Sequence, residues 1–239
     1  MKDNKKSPHT AALILAAGVG SRMGGDVTKQ KIKLLGRSVL LRSVMAFDSC
    51  SDIDEIIVVG RECELDFIES ELCGKINKPY RVVVGGATRA ESAARGFLSL
   101  ESGVDYVAIH DAARCLITST DISRVLSKAK EAGAATASAR VFDTVKTVNS
   151  DGRITGNVAR EGLIRTQTPQ IFRYDWYKDA LAFLSGVDPA RITDDNMLLA
   201  LAGRDVYSVN VGEYNLKITE QGDVARAELI LSERGDVCV

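Results

Sequence analysis

The stretch LILAAGVGSRMGGDVTKQK, residues 13–31, sets an apolar run against glycines and two cations, Arg22 and Lys29. Small residues let backbone N–H groups close on an anion, and Arg and Lys neutralise phosphate oxygens. The loop is not a P-loop, because the Gly-Lys-Ser/Thr ending is missing. It is not a dinucleotide fingerprint either: Gly18 and Gly20 give G-x-G, but Met23 stands where the third glycine belongs, and no acidic residue sits in an obvious place for a ribose. Two readings remain, a phosphate cradle and a tight strand-to-helix turn with solvated cations. The residue types favour the phosphate.

A second chemical position is Asp111, at the end of the apolar run DYVAIH (105–110). A carboxylate at the carboxyl end of a strand can hold Mg²⁺ against phosphate oxygens, or it can cap the next turn. His110 beside it reads as a packed neighbour. With His9 and His110 the only histidines, and five cysteines without a CxxC pair, no zinc site of familiar spacing can be assembled. The cysteines read as free thiols of a reducing compartment, in preference to a Cys63–Cys73 pair.

These residues need a scaffold. The 239-residue chain suits one large domain. Lys plus Arg (31) nearly cancel Asp plus Glu (32), which argues against a nucleic-acid binder relying on bulk positive charge. No stretch approaches the roughly 20 apolar residues of a membrane span. The opening MKDNKKSPHT reads as a disordered basic tail (1–10) rather than a signal peptide, because the apolar run after it is short and flows into the glycine loop. A cytoplasmic protein is expected.

Apolar runs at 11–16, 55–60, 80–85 and 105–110 read as buried strands, with helical patterns at about 38–50, 62–73 and 88–101. Thr88 and Glu91 have the capping-box spacing. A further helix spans about 119–132 and stops at Gly133. This alternation predicts an α/β fold with a mostly parallel sheet, which binds ligands at the carboxyl ends of its strands. After residue 135 the pattern turns strand-like, and NSDGR signals a hairpin at about 141–158. An isolated hairpin is barely stable, so it packs on its own sheet or on a partner subunit. Helices follow at about 174–185 and 193–203, late strands at DVYSVNV (205–211) and NLKIT (215–219), and a terminal amphipathic helix from 220 to 234.

The loop L-A-A-G-x-G-x-R-M-G with K-Q, followed in order by GGATRAESAARG (85–96), HDAAR (110–114), DTVK (143–146), RTQTPQIF (165–172), ITDD (192–195) and NLKIT, resembles the 2-C-methyl-D-erythritol 4-phosphate cytidylyltransferase family over about residues 11–233. Singly each motif is weak; in this order they are specific. The related ribitol 5-phosphate cytidylyltransferases tend to show A-G-G in the first loop and H-D-S-V-R at the metal motif, whereas this chain has Ala16-Ala17-Gly18 and His110-Asp111-Ala112-Ala113-Arg114.

The resemblance implies a Rossmann-like three-layer nucleotidyltransferase fold as a single domain (11–239), with a protruding β-hairpin arm at about 141–167. It implies transfer of cytidylyl from CTP to a polyol phosphate, with Mg²⁺. By that likeness Arg22, Lys29 and Lys217 are the catalytic cations and Asp111 the metal ligand. Ala16, Ala17, Gly18, Gly20 and Ala112 would line the nucleotide, and Gly85, Gly86, Arg89 and Ser92 would read the cytosine. Arg114 and Thr168 would serve the polyol phosphate, as would Thr144 and Arg160 reaching from the arm of a twin subunit, so that the working unit is a homodimer.

Some positions depart from the family pattern. Thr28 and Cys115 stand where prolines are common, Ala159 where an acidic residue is frequent, and Asp195 where Glu is frequent. The missing prolines are expected to loosen the loops of Lys29 and Asp111, and Cys115 is a candidate for oxidation. Rival readings are a pentitol phosphate cytidylyltransferase, a non-catalytic nucleotide-binding module, and an NAD-dependent oxidoreductase, which the incomplete fingerprint disfavours.

Overall fold

A computed structural model describes residues 8–18, 28–186 and 188–235. Residues 1–7 of the expected tail, together with Gly20 and Arg22, lie outside these. Thr10 is already part of the first strand, so the expected tail is shorter than 1–10.

The strands are β1 (Thr10–Leu15), β2 (Lys33–Leu34), β3 (Arg37–Ser38), β4 (Glu55–Gly60), β5 (Tyr80–Val84), β6 (Tyr106–Asp111), β7 (Ala134–Arg140), β8 (Val145–Val148), β9 (Ile154–Val158), β10 (Ile164–Arg173) and β11 (Tyr207–Asn210). The helices are α1 (Val39–Asp48), α2 (Leu65–Leu72), α3 (Arg89–Leu98), α4 (Ser119–Ala132), α5 (Tyr174–Leu181), α6 (Asp195–Leu201) and α7 (Gln221–Glu233). A seven-stranded sheet runs β11-β7-β10-β6-β1-β4-β5. β5, β4, β1 and β6 are mutually parallel, β11 is parallel to β7, and β10 is antiparallel to both β6 and β7. The mostly parallel α/β fold is therefore present.

The central strands read as continuous apolar runs because both faces are covered. Along β1, Ala12 and Ile14 join Ile56 and Val58 under α1 and α4, while Ala11, Leu13 and Leu15 join Ile57 and Val59 under α3 and α5. Each buried Leu or Ile contributes about 1.5–3 kcal/mol relative to exposure. This pleat alternation fixes the register, since a slip of one residue would exchange the two faces. A third cluster seats α7 on Leu34, Leu116 and Ile218.

Local signals act as expected at several ends. Thr88 and Glu91 form the capping box of α3. Gly133 ends α4 at φ +91, and a Cβ there would lie 2.3 Å from the Trp176 ring. Two readings are corrected. NLKIT is not a strand: residues 215–219 form an irregular segment outside the sheet. It is tied down instead by Ile218 N–H to Ala113 O (2.8 Å) and by the Asn215 side chain. Residues 164–167 do not belong to the arm, because Ile164, Arg165 and Thr166 pair with β7.

The hairpin forms as β8 and β9, a two-stranded sheet separate from the main one. Asn149 closes its turn by accepting from the backbone N–H groups of Asp151 and Arg153. It leaves Phe142, Val148 and Ile154 at 60% exposure or more.

Candidate active site

The strand ends of β1, β4, β5 and β6 converge on a cavity of about 430 Å³, and beside it lies a second of about 320 Å³. Arg89, Asp111 and Lys217 line both and form the wall between them.

Asp111 is the last residue of β6 and buried. Its Oδ1 accepts from Arg89 Nε at 2.9 Å, and its Oδ2 from Lys217 Nζ at 2.7 Å. Burial alone would raise its pKa, but the Arg89 and Lys217 charges hold it well below the usual carboxylate range. Arg89 in turn donates from Nη1 to Asp195 Oδ2 at 2.6 Å, and Asp195, fully buried, also accepts from the Tyr177 hydroxyl at 2.6 Å. Arg89, expected at the cytosine, thus spends its guanidinium on two carboxylates while still lining the larger cavity. Its Nη2 is buried without a hydrogen-bond partner.

A relay behind Asp111 holds its backbone. Asp111 N–H donates to Thr168 Oγ1 at 3.1 Å, and Thr168 Oγ1 lies 3.1 Å from His110 Nδ1. His110 Nε2 is 3.2 Å from Arg114 O, a group that can only accept. Complementary roles therefore put the ring proton on Nε2 and let the Thr168 hydroxyl donate to Nδ1. Burial pushes the His110 pKa down to about 3, so the ring is neutral, a packed neighbour as expected.

Arg114 lines the second cavity and donates to Asn215 O at 3.0 Å. Asn215 Nδ2 donates to Thr168 O at 2.9 Å. Segments 110–114, 166–168 and 215–218 are thereby stitched together, which positions Lys217 although its segment is outside the sheet. Arg114 thus both anchors the loop and borders the cavity.

Lys29 sits in a 3-10 turn, Lys29–Lys31, and lines the larger cavity with Ala17, Gly18, Gly86 and Ser92. Gln30 Nε2 donates to Ala16 O at 2.6 Å, fixing that turn to the end of β1. Thr28 adopts φ −69, the value a proline would impose. The Gly85–Thr88 loop must pass close to its neighbours: a Cβ on Gly85 would lie 2.8 Å from Ala17 Cβ, and one on Gly86 2.3 Å from Glu91 Cβ. Ser92 Oγ donates to Thr88 O (2.9 Å) and accepts from Gly86 N–H (3.1 Å), so it shapes the loop. Ala16, Gly85 and Ala112 form the frame behind the cavity; Ala112 N–H bonds Leu15 O and Gly85 N–H bonds Gly60 O.

Thr144 and Arg160 are exposed on the arm and border neither cavity. Arg160 Nη1 donates to Phe142 O. Cys115, expected to be oxidation-sensitive, is 4% exposed and burial pushes its thiol up to about 12, the opposite of a reactive thiolate. Sequence reasoning missed Arg61, Tyr177, Asn215 and Gln167, and treated Asp195 only as a departure. Gln167, Asn215 and Asp195 lie inside the quoted motifs without a role assigned to them there, while Arg61 and Tyr177 carry no motif signal; each is defined by its partners.

The sequence profile described as IspD, 2-C-methyl-D-erythritol 4-phosphate cytidylyltransferase, matches residues 10–233. The chain belongs to the 2-C-methyl-D-erythritol 4-phosphate cytidylyltransferase family. Relatives bearing that name include one from Desulforamulus reducens, 36% identical, covering 95% of this chain and 97% of that protein. Another, from Lachnoclostridium phytofermentans, is 37% identical over 94% and 97%. The crystal structure of 4-diphosphocytidyl-2C-methyl-D-erythritol synthase from Anaerococcus prevotii superposes with a TM-score of 0.83 at 29% identity, covering 95% of this chain and 97% of that one. In this cytidylyltransferase family member, the motifs quoted above from the Gly85 loop, the β6 end, β10, the start of α6 and the 215–219 segment all reach the two-cavity wall or its supports.

Proposed function

We propose that the larger cavity holds CTP, the smaller one 2-C-methyl-D-erythritol 4-phosphate, and that Lys29, Lys217 and Asp111 carry the transfer between them. Family membership makes the chain a cytidylyltransferase that uses CTP in isoprenoid biosynthesis. The observation that carries the residue-level reading is the shared wall of Arg89, Asp111 and Lys217.

A phosphate oxygen of the polyol attacks the α-phosphorus of CTP, a new P–O bond forms, and the bond to the bridging oxygen breaks to release pyrophosphate. The attacking monoester has a second pKa of about 6 and is largely dianionic at neutral pH, so no general base is needed. The task is to bring two polyanions together and to stabilise charge in line. Lys29 and Lys217 flank the triphosphate from opposite sides. Arg22, outside the described residues, is assigned beside Lys29 by the family motif. Thr168 and Arg114 border the polyol phosphate. The Gly85–Ser92 loop, with Ala16, Ala17 and Gly18, presents backbone groups to the cytosine, and Ala112 supports the ribose side.

Among the described residues no cluster of three His, Cys, Asp or Glu side chains could cage a metal. One hard carboxylate at the meeting point of two phosphate sites does fit Mg²⁺, which takes one or two carboxylates and completes its shell with phosphate oxygens and water. Asp111 would hold it, giving up its contact with Lys217 to do so, and the ion would neutralise charge between the phosphates.

The arm supports a homodimer. Its exposed Phe142, Val148 and Ile154 offer an apolar face that a second copy would cover, and Thr144 and Arg160 would then reach the partner's smaller cavity. The free thiols Cys50, Cys63, Cys73 and Cys115 fit a reducing cytoplasm, and no described helix is long and apolar enough to cross a membrane.

Pyrophosphate release with CTP, Mg²⁺ and a panel of polyol phosphates tests the reading. Release with 2-C-methyl-D-erythritol 4-phosphate is expected. Release with ribitol 5-phosphate alone would reassign the substrate, and no release with any member would leave a binding module.

A further inference from the structure

We propose that Arg61 is an additional nucleotide-binding residue, contacting the triphosphate of CTP through its two Nη groups. The inference rests on the larger cavity being the CTP site. Arg61 follows the last residue of β4, which lies in the sheet between β1 and β5, and it lines that cavity. Its position is not that of a solvated surface cation. The Nε donates to Glu64 Oε2 at 2.9 Å, and the Glu64 side chain is only 4% exposed while that of Arg61 is 30% exposed. Burial pushes the Glu64 carboxyl up, yet the Arg61 hydrogen bond and charge hold it below its ordinary value, so the pair stays ionic.

A buried carboxylate needs one compensating cation, and the Nε contact supplies it. That role leaves the planar fork of the two Nη groups unexplained: among the described residues neither makes a hydrogen bond. A guanidinium oriented through Nε, with its remaining donors open to a cavity, matches phosphate oxygens in geometry and charge.

Charge balance points the same way. Lys29, Arg61, Arg89 and Lys217 line the cavity against the single carboxylate of Asp111. Arg89 is already shared between Asp111 and Asp195. A triphosphate, with about four negative charges, calls for several positively charged donors, and the two Nη groups of Arg61 add to those of the other cations.

The test is a ladder of nucleotides. Affinities of CMP, CDP and CTP are measured by calorimetry in EDTA for the wild-type chain, Arg61→Met and Arg61→Lys. Arg61→Met is expected to weaken CTP by about tenfold or more, the scale of one charged hydrogen bond. CDP should weaken less and CMP by under about twofold, with Arg61→Lys recovering part of the loss. Unchanged CMP binding also reports an intact fold. Equal weakening of all three nucleotides, or none, would overturn the assignment. Wild-type protein that fails to bind CTP would instead remove the CTP reading beneath it.

Discussion

Asp111 and Lys217, 106 residues apart in sequence, meet at 2.7 Å between the two cavities. With Arg89 on the other carboxylate oxygen, the site's acid is balanced by the side chains that would otherwise greet a phosphate. On the proposed reading, entry of a nucleotide would exchange partners: Lys217 would pass from a carboxylate to a phosphate, and Asp111 would become available to a cation. Asp111→Asn should bind CTP in EDTA at least as well as wild type, because a repelling charge is gone. Its Mg²⁺-dependent turnover should fall by about 100-fold or more, and chelation should stop the wild-type reaction. Pyrophosphate release and calorimetry in parallel check this; preserved turnover would remove Asp111 from the mechanism.

Lys29→Ala should reduce single-turnover rate by about 10²–10³ while circular dichroism and the melting transition stay close to wild type. A rate within a few-fold of normal would defeat the assignment. Gln30 holds the turn it occupies to the end of β1.

Arg160→Ala should raise KM for the polyol phosphate far more than for CTP. The decisive form of the experiment mixes two impaired proteins, Lys29→Ala and Arg160→Ala, at a polyol phosphate concentration too low for Arg160→Ala to turn over, under conditions that exchange subunits. If the arm completes the neighbouring site, each heterodimer has one intact site, and roughly a quarter of wild-type activity returns. No recovery would mean that the arm serves its own chain.

Tyr177→Phe removes a donor from a fully buried carboxylate. Unfolding by denaturant should show a loss of about 1–3 kcal/mol, with turnover changed much less than by Lys29→Ala. Unaltered stability would show that Arg89 alone satisfies Asp195.

The strands of the parallel half were legible because they are apolar on both faces, and Thr88, Gly133 and the Asn149–Arg153 turn announced themselves through local chemistry. β10 was harder to read. Its middle, Gln167, Thr168 and Gln170, is polar yet buried, since those side chains bond Asn215, His110 and Asp194. The 215–219 segment shows the reverse: strand-like in composition, it is held outside the sheet by long-range contacts that leave no trace in spacing. The partners of Asp195, Arg89 and Tyr177, are likewise distant in sequence, whereas Arg61 is set by its local pair with Glu64, which by itself reads as an ordinary surface ion pair. Most motif positions reached the cavities directly, and Arg89 lines the larger one while ion-paired with Asp111 and Asp195.

The partition between the two cavities consists of side chains, so it can be pulled aside. A single molecule reaching through it, with an acidic group at each end, would take Lys217 from one flank and Arg114 from the other. Such a double-headed inhibitor would compete with both reactants, and an excess of either one would displace it.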